Sequence, residues 1–237
     1  SEMCIRDREK GTRVALCLPN TPYYVICYFA ILQAGGIVVN LSPLYVEREL
    51  RHFLKDSGAR IAVTLDVAEL YNKFAPIVAD GGLDHLIVGS MLESLDVVKR
   101  CGFWLTRRKS LARLPADARV VRFAALGAGA GAPRPVPCDP QRDIAVLQYT
   151  GGTTGIPKAA MLSHANLSAN CAQVDRRLPE IEAGAGMLTL VPLFHVLAMT
   201  AAMNLSVLLG LTMILLPRYD KALLRKTLAR TRPLFFP

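Results

Sequence analysis

The chain has 237 residues, 52% of them hydrophobic and 20% charged, enough to bury the core of one large or two small globular domains. The net charge is +9, but residues 99–122 hold eight basic side chains against one acid, Asp117, so +7 of it is local, which argues against a nucleic-acid-binding face. Six scattered cysteines (Cys4, Cys17, Cys27, Cys101, Cys138 and Cys171) form no C-x-x-C pair, which argues against a zinc site or a disulfide framework and for a reducing cytosol.

Residues 1–8, SEMCIRDR, have no apolar stretch and no periodicity and read as a non-native or disordered arm. Residues 12–18 read as a buried strand. Thr21 and Pro22 supply a cap and a first-turn proline for an apolar helix over 23–34, which Gly35-Gly36 stops. Strands are expected at 37–41, 60–65 and 85–88. Helices are expected at 47–55, ending near Gly58, and at 67–78, interrupted by Pro76. Strands alternating with helices predict parallel pairing and an α/β fold.

Residues 92–114 break that rhythm. Leu95, Val97, Val98, Phe103, Trp104, Leu105 and Leu111 alternate with Lys99, Arg100, Arg107, Arg108 and Lys109. This composition fits an interfacial membrane helix, and equally a solvated basic face over an apolar stripe. A strand is expected at 120–126. The string GAGAGA at 127–132 fits the loose dinucleotide fingerprint G-x-G-x-x-A, but Arg134, Pro135, Pro137 and Pro140 leave no helix behind it. Residues 127–142 therefore read as a linker.

A short apolar strand at 144–147 leads into Thr150, Gly151, Gly152, Thr153, Thr154 and Gly155, followed by Pro157 and Lys158 and a strand at 160–162. Small residues leave backbone amides free to converge on an anion, and Lys158 adds a mobile cation suited to a polyphosphate. The residues by themselves also fit an unliganded Gly/Thr hairpin. The P-loop pattern G-x-x-x-x-G-K-[ST] does not fit, because Ile156 follows Gly155. Ser163 is expected to cap a helix over 164–177.

No Asp, Glu, Lys or Arg occurs in the 35 residues between Glu182 and Arg218. Pro192, His195, Asn204 and Gly210 punctuate the tract, so it parses as a strand (187–191), a helix (193–209) and a strand (211–216), not as a membrane span. A final helix is expected at 221–230 and the start of a strand at 233–237. Within VPLFHVLAM, Phe194 and His195 stand out, although a lone histidine in an apolar run is usually a satisfied core residue.

The full string T-G-G-T-T-G-x-P-K at 150–158 resembles the ATP/AMP signature of the acyl-adenylate-forming superfamily, the AMP-binding enzymes, with Ala159 where that family usually has Gly. The opening ALCLPNTPYYVICYFAILQAGGIVVNLSPLY is similar to the superfamily's N-terminal pattern. NLSPLYVERELRHFLKDSGAR resembles bacterial long-chain fatty-acid CoA ligases. The resemblance implies an α/β fold of mostly parallel sheets with flanking helices. It implies a reaction in which ATP activates a fatty acid as an acyl-adenylate and CoA then takes the acyl group, with Mg²⁺. By resemblance, Thr150, Gly151, Gly152, Thr153, Thr154, Gly155 and Lys158 hold the phosphates, Lys158 and His195 serve catalysis, and Phe194 and His195 face the acyl carboxylate.

Ligases of this kind often carry a basic insert, which raises the expectation of peripheral contact by 92–114 with anionic membrane at the inner face. The superfamily's later strings, Y-G-x-T-E and Thr-Gly-Asp, are not found. The expectation is an N-terminal part of an adenylation domain over 9–237, without the small C-terminal domain and inactive alone. An aryl, medium-chain or amino-acid adenylating enzyme, or an inert nucleotide-binding fragment, are the alternatives.

Overall fold

The computed structural model describes residues 9–95, 100, 102–103, 106–126, 136–150 and 157–235. The expected arm at 1–8, most of the expected linker (127–135), the loop core 151–156, and Trp104 with its neighbours 96–99, 101 and 105 lie outside the described residues. The chain divides into two compact units: Ser1–Leu18 with Ile26–Cys138, and Pro19–Val25 with Asp139–Pro237.

The first unit is an α/β sheet. Strands β1 (Arg13–Leu16), β2 (Ile37–Asn40), β3 (Ile61–Leu65), β4 (His85–Gly89) and β5 (Val120–Arg122) lie in the order β5-β4-β3-β1-β2, all parallel. Helices α1 (Pro22–Gln33), α2 (Glu47–Ser57) and α3 (Ala68–Ala79) make the crossovers. The central strands are mostly apolar because both faces are covered: Val14, Ala15 and Leu16 are buried, as are all of β3, Thr64 included, and most of β4. α2 ends where expected, with Gly58 at φ 68°, and the guanidinium of Arg13 donates to Ser57 O at 2.8 Å over that terminus. Asp66, at the end of β3, accepts from Ser90 Oγ at 2.9 Å and from Met91 N at 2.7 Å, tying the ends of β3 and β4.

Two expectations are corrected here. Pro76 does not interrupt α3, which runs on to Ala79. The proline removes one hydrogen bond, while buried Leu70, Tyr71, Phe74, Ile77 and Val78 hold the helix in place. The strand at 120–126 stops at Arg122 and a single helical turn, Phe123–Leu126, follows. β5 pairs only with β4, through Val120, Val121 and Arg122, and β4 ends one residue past that rung. Without a partner, the Ala-rich segment takes its local helical preference.

In the second unit, β6 (Ile144–Thr150) and β7 (Lys158–Ser163) form an antiparallel pair, and β8 (Gly186–Thr189) and β9 (Thr212–Leu215) a parallel one. α4 (His164–Asp175) starts at a capping box in which Ser163 Oγ accepts from Asn166 N at 3.2 Å and Asn166 Oδ1 accepts from Ser163 N at 3.0 Å. The helix α5 between β8 and β9 begins at Val196, not at 193, and is not uniform: Val196–Ala198 is α, Met199–Asn204 is π, and Leu205–Leu209 is α again. α6 (Lys221–Thr231) follows, and Phe235 then bridges to Met187 in parallel sense, where a strand start was expected. Among the described residues no helix is long and apolar enough to cross a membrane.

Candidate functional site

All of the described candidate residues belong to the second unit. β6 turns from apolar to polar as it ends: Ala145, Val146 and Leu147 are buried, then come Gln148, Tyr149 and Thr150. The strand is three residues longer than the apolar run predicts, because β7 supplies partners through Gln148↔Ala160, Tyr149↔Ala159 and Thr150↔Lys158. Thr150 and Lys158 thus face each other on the last rung, with Thr150 Oγ1 donating to Lys158 O at 3.4 Å. Both side chains are exposed, and among the described residues no carboxylate pairs with Lys158. Gly151, Gly152, Thr153, Thr154 and Gly155 span the gap between these strand ends and lie outside the described residues.

Gln148 leads from this strand to the second motif. Its side-chain amide, 8% exposed, donates through Nε2 to Phe194 O at 3.1 Å. The segment Pro192–His195 is a turn closed by His195 N donating to Pro192 O at 2.9 Å. His195 then caps α5: its Nδ1 accepts from Leu197 N at 3.4 Å. A neutral imidazole that accepts at Nδ1 carries its proton on Nε2, so the exposed edge of this ring is a donor. Phe194 is half-buried beside it.

Immediately past His195 an open groove of about 450 Å³ runs between α4 and the first turns of α5. Leu162, Leu167, Val174, Val196, Leu197 and Ala201 make its walls apolar, and Asn166, Asn170 and Thr200 add polar atoms. Leu197 is 53% exposed, more than a packing role requires. The arrangement offers a cation and a hydroxyl at one strand end, an N–H donor next along, and an apolar slot beyond.

Sequence reasoning missed Asn20 and gave Gln148 no role. Asn20 is 4% exposed, and its side chain meets Thr189 O, Val191 O and Leu193 N, the backbone just before Phe194. The available signal was an asparagine between a buried strand and a proline-initiated helix, where a buried amide needs distant partners.

The three buried thiols, Cys17, Cys27 and Cys171, are not candidates for covalent chemistry. Burial pushes Cys17 and Cys27 up to about 12 and raises Cys171 as well, so all three stay protonated near neutral pH. Among the described residues no group of three His, Cys, Asp or Glu could hold a metal ion.

The model of the AMP-binding enzyme family matches residues 5–237, and the chain belongs to that family. It is 39% identical over 233 residues to a long-chain-fatty-acid–CoA ligase of Bacillus subtilis, covering 97% of this chain and 41% of that one. It is 39% identical over 209 residues to the ligase of the same name from Salmonella typhimurium, covering 85% of this chain and 36% of the relative. The crystal structure of a long-chain-fatty-acid–CoA ligase from Archaeoglobus fulgidus superposes with a TM-score of 0.74 at 25% identity, over 96% of this chain and 39% of that one. The chain thus spans about two fifths of the length of these relatives.

Proposed function

We propose that this chain carries the ATP-handling and acyl-receiving part of an AMP-forming ligase that joins long-chain fatty acids to CoA. The observation that carries the reading is the hydrogen bond from Gln148 to Phe194 O, which ties the strand entering the Gly/Thr loop to the segment at the mouth of the apolar groove. In the first step a fatty-acid carboxylate oxygen attacks the α-phosphorus of ATP, and pyrophosphate leaves with the electrons of the broken P–O bond. In the second the CoA thiol gives up its proton, attacks the acyl carbon and displaces AMP. Thr150, Gly151, Gly152, Thr153, Thr154 and Gly155 hold the phosphates, and Lys158 follows the charge onto pyrophosphate. Phe194 closes one side of the carboxylate position, and the Nε2–H of His195 donates to a carboxylate oxygen. The acyl chain lies in the groove of α4 and α5. Among the described residues no acidic cluster could cage Mg²⁺, so the ion would be carried by ATP, would supply neutralisation of phosphate charge, and could draw on the exposed Thr150 hydroxyl.

The test is ATP–pyrophosphate exchange by an enzyme of the relatives' length carrying this segment. Exchange that depends on palmitate, and not on benzoate, hexanoate or amino acids, is expected. Exchange driven only by one of the others would replace the long-chain reading with that substrate.

We also propose that residues 92–114 rest on anionic membrane. Arg100, Arg107, Arg108 and Lys109 are all exposed, with Phe103 half-buried among them. Each basic residue near such a surface contributes about 1 kcal/mol, screened over a Debye length. Trp104 is the sole tryptophan. Its emission is expected to shift to the blue with phosphatidylserine vesicles, and the shift should disappear in the triple variant Arg107→Glu, Arg108→Glu, Lys109→Glu. An unchanged spectrum at low salt would leave the segment as a solvated basic face.

A further inference from the structure

We infer that Asn20 is the positioning residue of this site, a buried amide that fixes the backbone presenting Phe194 and His195; its consequence for catalysis rests on the proposed function. The connection from Thr189, the last residue of β8, to Val196, the first of α5, is irregular. Backbone groups in such a stretch lack ladder or helix partners and must find others when buried. Asn20 supplies them at three points. Its Oδ1 accepts from Leu193 N at 2.7 Å, and its Nδ2 donates to Thr189 O at 3.3 Å and to Val191 O at 3.1 Å. Leu193 is fully buried and Asn20 nearly so, so the bonds to Leu193 N and Thr189 O are shielded from water, while the one to Val191 O is part-buried.

The partners fix the orientation of the amide. Two carbonyls face Nδ2 and one N–H faces Oδ1, so a flipped amide would set like against like at all three. Asn20 reaches them from 169 to 173 residues away in sequence. Gln148 adds a fourth point at Phe194 O. Asn20 and Gln148 thus hold the segment on both sides of Leu193, and the turn from Pro192 to His195 closes between those holds. His195 keeps its Nδ1 on Leu197 N only while that turn stays put. The hydrogen bonds of the Asn20 side chain go to Thr189, Val191 and Leu193, so it acts through the backbone between β8 and Phe194.

The test has two arms. In the 237-residue chain labelled with ¹⁵N and ¹³C, a scalar coupling across the hydrogen bond from Leu193 N to Asn20 Cγ is expected, and its absence overturns the inference without any variant. Wild-type His195, assigned with His195→Gln, should show one tautomer with Nδ1 as acceptor. In Asn20→Ala, with a far-UV spectrum like wild type, the two ring nitrogens of His195 should move toward a common averaged shift, while His52, His85 and His164 stay unchanged. Unmoved His195 nitrogens in the folded variant overturn the inference. If Asn20→Ala does not fold, Asn20→Asp is read in the same way; it keeps the shape and the acceptor but sets lone pairs against Thr189 O and Val191 O.

In the catalytic arm, an enzyme of the relatives' length carrying Asn20→Ala should lose at least tenfold in kcat for palmitate-dependent pyrophosphate exchange, with KM for ATP within threefold. A raised KM for ATP at unchanged kcat overturns a positioning role. Should His195→Gln leave exchange untouched, the role given to His195 fails, while the nuclear magnetic resonance arm still judges Asn20.

Discussion

Lys158→Ala separates the chemistry proposed for this site from its stability. Lys158 opens β7 opposite Thr150, and its backbone oxygen accepts from Thr150 Oγ1. The side chain is exposed and no carboxylate pairs with it among the described residues. Removing it leaves the rung in place, so the change in unfolding free energy should stay within about 0.5 kcal/mol, as for other surface positions. Catalysis should respond differently. On the proposed function, the Lys158 ammonium, which pairs with no carboxylate among the described residues, follows the charge from ATP to pyrophosphate. Losing such a contact from a closed site costs roughly 2–4 kcal/mol of transition-state stabilisation, or about 30- to 1000-fold in rate. The assay is palmitate-dependent ATP–pyrophosphate exchange in an enzyme of the relatives' length, run beside a thermal melt, with Lys158→Arg as the charge-preserving control. Exchange within threefold of wild type at an unchanged melting temperature would refute the assignment of Lys158 to the phosphates.

Three further outcomes concern the chain itself. Ser163→Ala removes the hydroxyl that accepts from Asn166 N and should destabilise by about 1 kcal/mol in denaturant titration; a loss below about 0.3 kcal/mol would mean the cap contributes nothing. Gly58→Ala places a Cβ 2.9 Å from Arg13 Nη1 at a residue with φ 68°, so the added strain of a left-handed L-residue, about 1–2 kcal/mol, should appear as a lower melting temperature, whereas an unchanged melt would show that the terminus of α2 readjusts freely. Cys17 and Cys27 titrate near 12 in the fold against 9.0 for a free thiol, both raised chiefly by burial. A raised folded value means the native state holds the proton more tightly, so this stability is fully present below about pH 9 and is lost as pH climbs toward 12. At pH 10 the loss is roughly 1.4 kcal/mol per thiol, measurable as a difference between wild type and Cys27→Ala, and equal pH dependence in the two would contradict it.

The alternation of elements in the first unit was legible in the amino-acid order because its causes are local. β1, β3 and β4 are predominantly apolar, as strands covered on both faces are, and Pro22 and Gly58 mark a helix start and a helix end through backbone angles that the residue itself permits. The cap at Ser163 was legible for the same reason, since a hydroxyl and the amide three residues on meet within one turn. The family was legible too, in a string of nine residues at 150–158. Only the tertiary structure decided the rest. β5 stops at Arg122 because its neighbour β4 ends, a fact held 33 residues upstream at Gly89. β6 gains Gln148, Tyr149 and Thr150 because β7 lies opposite, and the groove exists because the side chains of α4 and α5 leave space between two helices that show no such feature singly. Asn20 is a polar residue of no evident purpose until Leu193 N, 173 positions later, comes within 2.7 Å. Periodicity and turn chemistry act over a few residues and can be read from neighbours, whereas a buried amide is defined by its partners, and only the folded chain says which backbone it meets.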